Sequence, residues 1–320
     1  GIHVVYDVFD NNDTLEAKLL ATNSGYDVVF PSFIPYASRQ HFIGVYGKLD
    51  RSKLQNFRNL QTVVTEKFVE AGGDLDYMAP IFWGTTGIAY NRTLALKALG
   101  NEEVSYDTLL NPEKISKLSR YGGVSFPEEF VDIFPQAGRF WSIPTDDILA
   151  IPTYKRKFQS IRKWIKKFSS SSMMSDMLTG GICVAIGPSD NAWRTMRAAR
   201  DTGDDIRYVI PPGFGILWID CACIPEKAPH KDNAEKFINF LLRPDVSAII
   251  TNKSGILTNV KGAGELYAEE ITKCESVYPS DEIIKTLSMG NPTVSEADLK
   301  YHKAAGRAWS EIKMRDRRDD

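Results

Sequence analysis

Apolar positions set the rhythm of this chain from its first residues. His3-Val4-Val5-Tyr6-Asp7-Val8-Phe9 is dense in β-formers and predicts a strand. Asn12-Asp13-Thr14-Leu15-Glu16 offers a helix cap with an acidic first turn, and the apolar positions of LEAKLLA follow at helical spacing. YDVVFPS predicts a second short strand, stopped by Pro31. Strand, helix, strand in that order implies a parallel sheet. A long extended segment is predicted over 77–91, YMAPIFWGTTGIAYN, because aromatic and β-branched residues crowd it.

The pattern then turns helical over NRTLALKALG and SYDTLLNPEKISKL, and returns to strand at GGVSFPEEF, ended by Pro127. Residues 131–152 resist assignment, since Pro135, Pro144 and Pro152 would each break a helix. Residues 154–168 read as a basic amphipathic helix with Phe158, Ile161, Ile165 and Phe168 on one stripe. A membrane-surface helix shares that pattern, but the narrow stripe and near-neutral chain favour a solvated outer helix. Ser169–Ser172 form a hinge-like linker before a short helix closed by Gly180-Gly181. ICVAIG and IRYVIPP are buried strands. Asp232-Asn233-Ala234-Glu235 has the spacing of a capping box, with Asp in the Ser/Thr place. The tail is helical, polar and frayed at KMRDRRDD.

One strand breaks the apolar rule. GILWIDCACIP (215–225) places Asp220 inside an apolar run, two residues after Trp218. A buried carboxylate is costly unless partnered. On a strand, Trp218 and Asp220 share one face, and a ring face beside a carboxylate attracts a cation. Ile219, Cys221 and Cys223 face the other way, toward packing.

Composition narrows the classes. With 320 residues, 43% of them hydrophobic, and a net charge of −2, the chain is long enough for two domains and has no bulk charge for nucleic acid. No run reaches the roughly 18 apolar residues of a membrane span, and the opening residues do not read as a signal peptide. Cys183, Cys221, Cys223 and Cys274 show no zinc spacing, and the four histidines are scattered, so neither metal nor cofactor is expected. Gly84-Thr85-Thr86-Gly87 lies in a strand, not at a helix start, and so lacks the geometry of a phosphate loop. Glu128 and Glu129 point to opposite strand faces and do not form a catalytic pair. Asp7 and Asp10 read as turn or cap residues. What remains are isolated polar groups at strand ends: Ser32, Glu129, Asp190, Asn191 and the Trp218–Asp220 pair. In open α/β sheets, ligands bind at the carboxyl ends of strands.

Several stretches together resemble the periplasmic polyamine-binding proteins, the putrescine/spermidine receptors of ABC importers. They are VVYDVFDNNDTLEAKLLA, GYDVVFPS, GKLDRSKLQNFRNL, FWGTTGIAYN, GGVSF with PEE, ICVAIG and AEKFINFLLRPDV. The resemblance implies the type II solute-binding fold: two α/β lobes joined by crossing strands. Lobe 1 is expected over 1–86 plus 217–260, and lobe 2 over 87–216 plus 261–320. It further implies a periplasmic, monomeric receptor, not an enzyme, that holds a polyamine in a cleft between lobes and hands it to permease subunits. Ser32 matches a cleft serine, Glu129 a cleft carboxylate, and Trp218 with Asp220 the aromatic and acid that hold one ammonium end. An acid after ICVAIG aligns with Asp190 or Asn191.

Departures from the family pattern are specific. Family members begin with a further strand bearing a Trp-x-x-Tyr pair, and this chain opens after it. Pro188 stands at a usual tryptophan and Ile256 at a frequent tyrosine. Each lost cation–π wall is worth about 0.5–2 kcal/mol. Two alternatives follow: a receptor for a different small ligand, or a sensor or degenerate member with an altered cleft. An enzyme using Cys221 is a third class, disfavoured because Cys221 points away from Asp220.

Overall fold

The computed structural model describes residues 1–9, 11–21 and 24–314. The expected turn or cap role of Asp10, and the expected fraying of the tail from Arg315 on, lie outside the described residues. The chain divides into two compact units. The first comprises Gly1–Trp83, Trp218–Lys273 and Asn291–Glu296; the second comprises Gly84–Leu217, Cys274–Gly290 and Ala297–Asp320.

The strands among the described residues are β1 (Met78–Asn91), β2 (Val124–Phe126), β3 (Ile165–Phe168), β4 (Val184–Pro188), β5 (Ile206–Val209), β6 (Ile216–Cys223) and β7 (Leu257–Thr258). β1 and β6 each carry the chain from one unit into the other, changing unit after Trp83 and after Leu217. Relative to the expected division, 261–273 and 291–296 fall with the first unit. The Tyr267 hydroxyl meets Thr258 at 2.8 Å, and the Thr293 N–H donates to Ser38 Oγ at 3.0 Å, which ties both stretches there.

In the second unit the sheet runs β3-β2-β4-β1-β5. β1 is antiparallel to β4 and β5, while β2 is parallel to β3 and β4. Gly87 is required by a close approach: a Cβ there would lie 2.5 Å from the Val209 carbonyl oxygen and 2.8 Å from the Tyr208 ring. In the core of this unit, Phe134 stacks on Tyr154 at 4.5 Å, and Phe158 meets Trp309 edge-on at 5.0 Å.

The first unit is stitched differently. Residues 3–9 form no strand, and Val5 and Tyr6 are 85% and 83% exposed. No described strand pairs with them, and β-propensity without a partner strand does not make a sheet. YDVVFPS forms isolated antiparallel bridges to β6, Val29 with Cys223 and Ser32 with Asp220. The parallel strand–helix–strand order expected at the start is therefore replaced by antiparallel pairing across 188 residues, from Ser32 to Asp220. Helix Asn12–Leu20 is present, capped by Asn11, whose Oδ1 accepts the Thr14 N–H at 2.9 Å.

Four other expectations change. Pro135 and Pro152 do not break helices; they start Phe134–Trp141 and Ile151–Ile161, where the missing N–H has no helical partner to lose. The basic helix ends at Ile161, and Ile165 and Phe168 lie on β3. Beyond it, two cations of the basic stretch are used structurally: Arg162 donates to the carbonyls of Ile312 and Lys313, and Lys166 to those of Gly122 and Gly181. The capping box is absent, since His230 is the cap of Lys231–Leu241 and Glu235 instead accepts the Asp50 N–H at 3.0 Å and meets Lys53 at 3.1 Å. The serine linker is pinned, with the Ser169 N–H bonded to Phe126 and Ser172 to Asp176.

Candidate ligand-binding site

In the first unit, β6 presents the Trp218/Asp220 face and buries the other. Trp218 and Asp220 keep partial exposure, whereas Ile219, Cys221 and Cys223 are buried. Burial pushes the Cys221 thiol well above its ordinary range, the opposite of a reactive thiolate. The bridge at Val29 and Cys223 fixes the register, so Ser32 falls opposite Asp220. Directly opposed residues in an antiparallel pair share a face. Accordingly the Ser32 hydroxyl donates to Asp220 Oδ1 at 2.8 Å. Ser32 is held in turn by Asn12, whose Oδ1 accepts the Ser32 N–H at 3.1 Å and whose Nδ2 donates to Ser32 Oγ at 3.2 Å. The Trp218 indole N–H is enclosed and meets no acceptor among the described residues. Three of the residues picked out from sequence, Ser32, Trp218 and Asp220, are thus brought together here.

The remaining candidates lie in the second unit. Asp190 and Asn191 open helix Ser189–Thr202, directly after β4. Asp190 is 7% exposed and pairs with Arg194 at 3.0 Å. Burial pushes its carboxyl up while the guanidinium draws it down. Asn191 donates to the Ser170 carbonyl at 3.2 Å, and its side-chain oxygen also takes Arg194. Glu129 follows β2 and is half-buried and partnered; Glu128 is exposed, and its carbonyl accepts Trp309 and Lys313. Pro188 ends β4, and Ile256 precedes β7.

Sequence reasoning missed Asp132. It lies in a single turn of 3-10 helix, Phe130–Asp132, inside the segment whose prolines obscured its pattern. The residue keeps some surface, yet its carboxyl is enclosed and its pKa is pushed up to about 6, chiefly by desolvation. Thr86 of the TTG stretch donates to it at 3.2 Å, which partly offsets that rise. Tyr106 and Tyr208 are its electrostatic neighbours. Tyr208 is held by Thr85 at 3.0 Å, whereas the enclosed Tyr106 hydroxyl meets no partner among the described residues. The Thr85 N–H is taken by Ser189 Oγ, so the TTG backbone is not an anion cradle. The nearest sequence signal for Asp132 was the TTG stretch itself, which is polar inside a long buried strand.

The family model for bacterial extracellular solute-binding proteins matches residues 1–277. The putrescine-binding periplasmic protein SpuD of Pseudomonas aeruginosa is 35% identical over 319 residues, covering 98% of this chain and 85% of the relative. The putrescine-binding periplasmic protein PotF of Escherichia coli is 34% identical with the same coverage. Among solved structures, a putative spermidine/putrescine ABC transporter protein from Listeria monocytogenes superposes with a TM-score of 0.82 at 25% identity, covering 98% of this chain and 91% of that one. These are receptors, not enzymes, and their α/β fold is the two-lobed type expected from sequence. The chain belongs to the bacterial extracellular solute-binding protein family.

Proposed function

We propose that this chain is an extracytoplasmic receptor that binds a polyamine, putrescine or spermidine, and delivers it as a monomer to the permease subunits of an ABC importer. One observation carries the ligand class: Asp220 stands on the same strand face as Trp218 and is oriented by a hydroxyl opposite it. A carboxylate offers an ammonium group a charge-assisted hydrogen bond, and an indole face adds cation–π attraction. The putrescine-binding names of the relatives support the same class. Among the described residues, no helix is long and apolar enough to cross a membrane. Within the second unit, Asp132 is the carboxylate we assign to amine recognition ahead of Asp190, because no cation pairs with it among the described residues. Glu129 and Asn191 are secondary candidates. Calorimetry with putrescine, spermidine, cadaverine and agmatine, with 4-aminobutyrate as a zwitterionic control, tests the reading. Heat with a diamine or triamine supports it; heat with none of the amines removes the ligand assignment.

A further inference from the structure

We infer that Asn12 is a positioning residue for the amine site, acting through Ser32 on Asp220; the inference rests on the polyamine reading above. Asn12 is the first residue of its helix, yet its amide does no capping, since Asn11 already accepts the Thr14 N–H. Both ends of the amide reach across to Ser32 instead. The oxygen takes the Ser32 N–H at 3.1 Å, and the nitrogen donates to Ser32 Oγ at 3.2 Å. That second bond decides the direction of the next one. A serine hydroxyl has one proton and two acceptor lone pairs. With an amide N–H already occupying one lone pair, the proton is directed away from Asn12 and onto Asp220 Oδ1, at 2.8 Å. A one-way chain of donors thus runs from helix to loop to strand, and fixes the rotamer of the carboxylate that meets the ammonium group.

The choice of Asn over its isostere Asp is what this arrangement requires. Aspartate at position 12 could still accept the Ser32 N–H. It could not donate to Ser32 Oγ, and it would compete with Asp220 for the single hydroxyl proton. It would also bring a second negative charge close to the first, which favours keeping one carboxyl protonated. A simple attraction model says the reverse: an added carboxylate near a cation site should tighten amine binding.

The test is calorimetry with putrescine, or with whichever amine of the panel binds the wild type most tightly. Asn12→Asp is expected to weaken binding about tenfold, with affinity recovering as pH falls from 7 to 5 relative to wild type. Asn12→Ala and Ser32→Ala are each expected to cost several-fold, and the double variant little more than the worse single one, because both remove the same chain of bonds. Additive losses, or an Asn12→Asp protein that binds more tightly than wild type, overturn the inference. If Asn12→Ala lowers apo stability, the cycle is still read on affinity at a temperature where every variant is folded. Absence of any heat from the wild type with the whole panel instead removes the polyamine reading, and the two failures are therefore distinct.

Discussion

Two aspartates of the second unit are both enclosed, and they differ in what shares their charge. Asp190 faces a guanidinium, with Arg194 one helical turn away at 3.0 Å. Asp132 takes a neutral hydroxyl from Thr86 at 3.2 Å, and no cation pairs with it among the described residues. A guanidinium offsets the cost of burying a charge and also consumes it. A hydroxyl orients the carboxyl but leaves it dependent on a proton or an incoming cation. The first arrangement holds a helix start in place; the second leaves an enclosed carboxyl for which an amine is a fitting partner. Asp220 in the first unit resembles the second arrangement in its donor, the Ser32 hydroxyl.

The largest effect expected from this contrast is pH dependence at Asp132. The unfolded aspartate titrates near 3.8 and the folded one at about 6. The folded chain therefore holds the proton more tightly. The stability this contributes is complete below about pH 4 and is lost as pH rises through about 6, by at most roughly 3 kcal/mol. Asn at position 132 keeps a partner for Thr86 without the charge. The apo Asp132→Asn protein should thus gain stability over wild type as pH goes from 4.5 to 7, followed by urea unfolding at each pH. A cationic ligand selects the ionised form, so amine affinity in wild type should rise over the same window and stay flatter in Asp132→Asn. A constant stability difference across the window would show that the carboxyl is not desolvated as the structure has it.

Next is Asp220→Asn, which carries the contrast into the first unit. Asn can still accept from Ser32, so apo melting should change little. Amine binding should weaken by about 1.5–3 kcal/mol, the range for a hydrogen bond to a charged group. Loss of folding instead of affinity would make Asp220 a structural partner. Trp218→Leu should cost less, about 1 kcal/mol of amine affinity, because it removes the aromatic face and leaves the carboxylate. Equal weakening for an uncharged diol control would show that the indole acts by packing alone.

What could be read from sequence divides along a similar line. Local signals held where the residues that make an element are neighbours. β1 follows from fourteen mostly apolar and β-branched positions, and helix Asn12–Leu20 from the helical spacing of LEAKLLA. The Trp218/Asp220 face followed from strand alternation alone. Misreadings came where one pattern serves two structures. Phe158, Ile161, Ile165 and Phe168 keep helical spacing across a true boundary at Ile161, because β3 also needs Ile165 inside. Pro135 and Pro152 terminate helices in an interior and begin them at a first turn, and only the fold distinguishes the two. Asp132 was hidden for that reason. The Ser32–Asp220 bond joins residues 188 apart, and nothing in either local stretch encodes its register. The resemblance placed both residues in the site, and the bridge at Val29 and Cys223 supplies the physical reason they meet.

The smallest predicted effect is the one that tests the contrast from its other side. If Arg194 consumes the charge of Asp190, replacing it should matter little to amine binding, because Asp190 was not serving the ligand. Arg194→Met keeps much of the aliphatic stem and removes the guanidinium. The buried Asp190 carboxyl then loses the influence that draws it down, while desolvation remains. It should take up a proton more readily and stay neutral over a wider pH range, so that no new anion appears for the amine. Calorimetry of Arg194→Met is therefore expected to give an affinity within about twofold of wild type at pH 7, a change well under 1 kcal/mol. A gain of tenfold would mean that Asp190, once released, is a competent amine partner, and that Arg194 had been holding it in reserve. Asp190 would then join Asp220 and Asp132 as a ligand carboxylate, and the division between structural and recognition aspartates drawn above would fail at that residue.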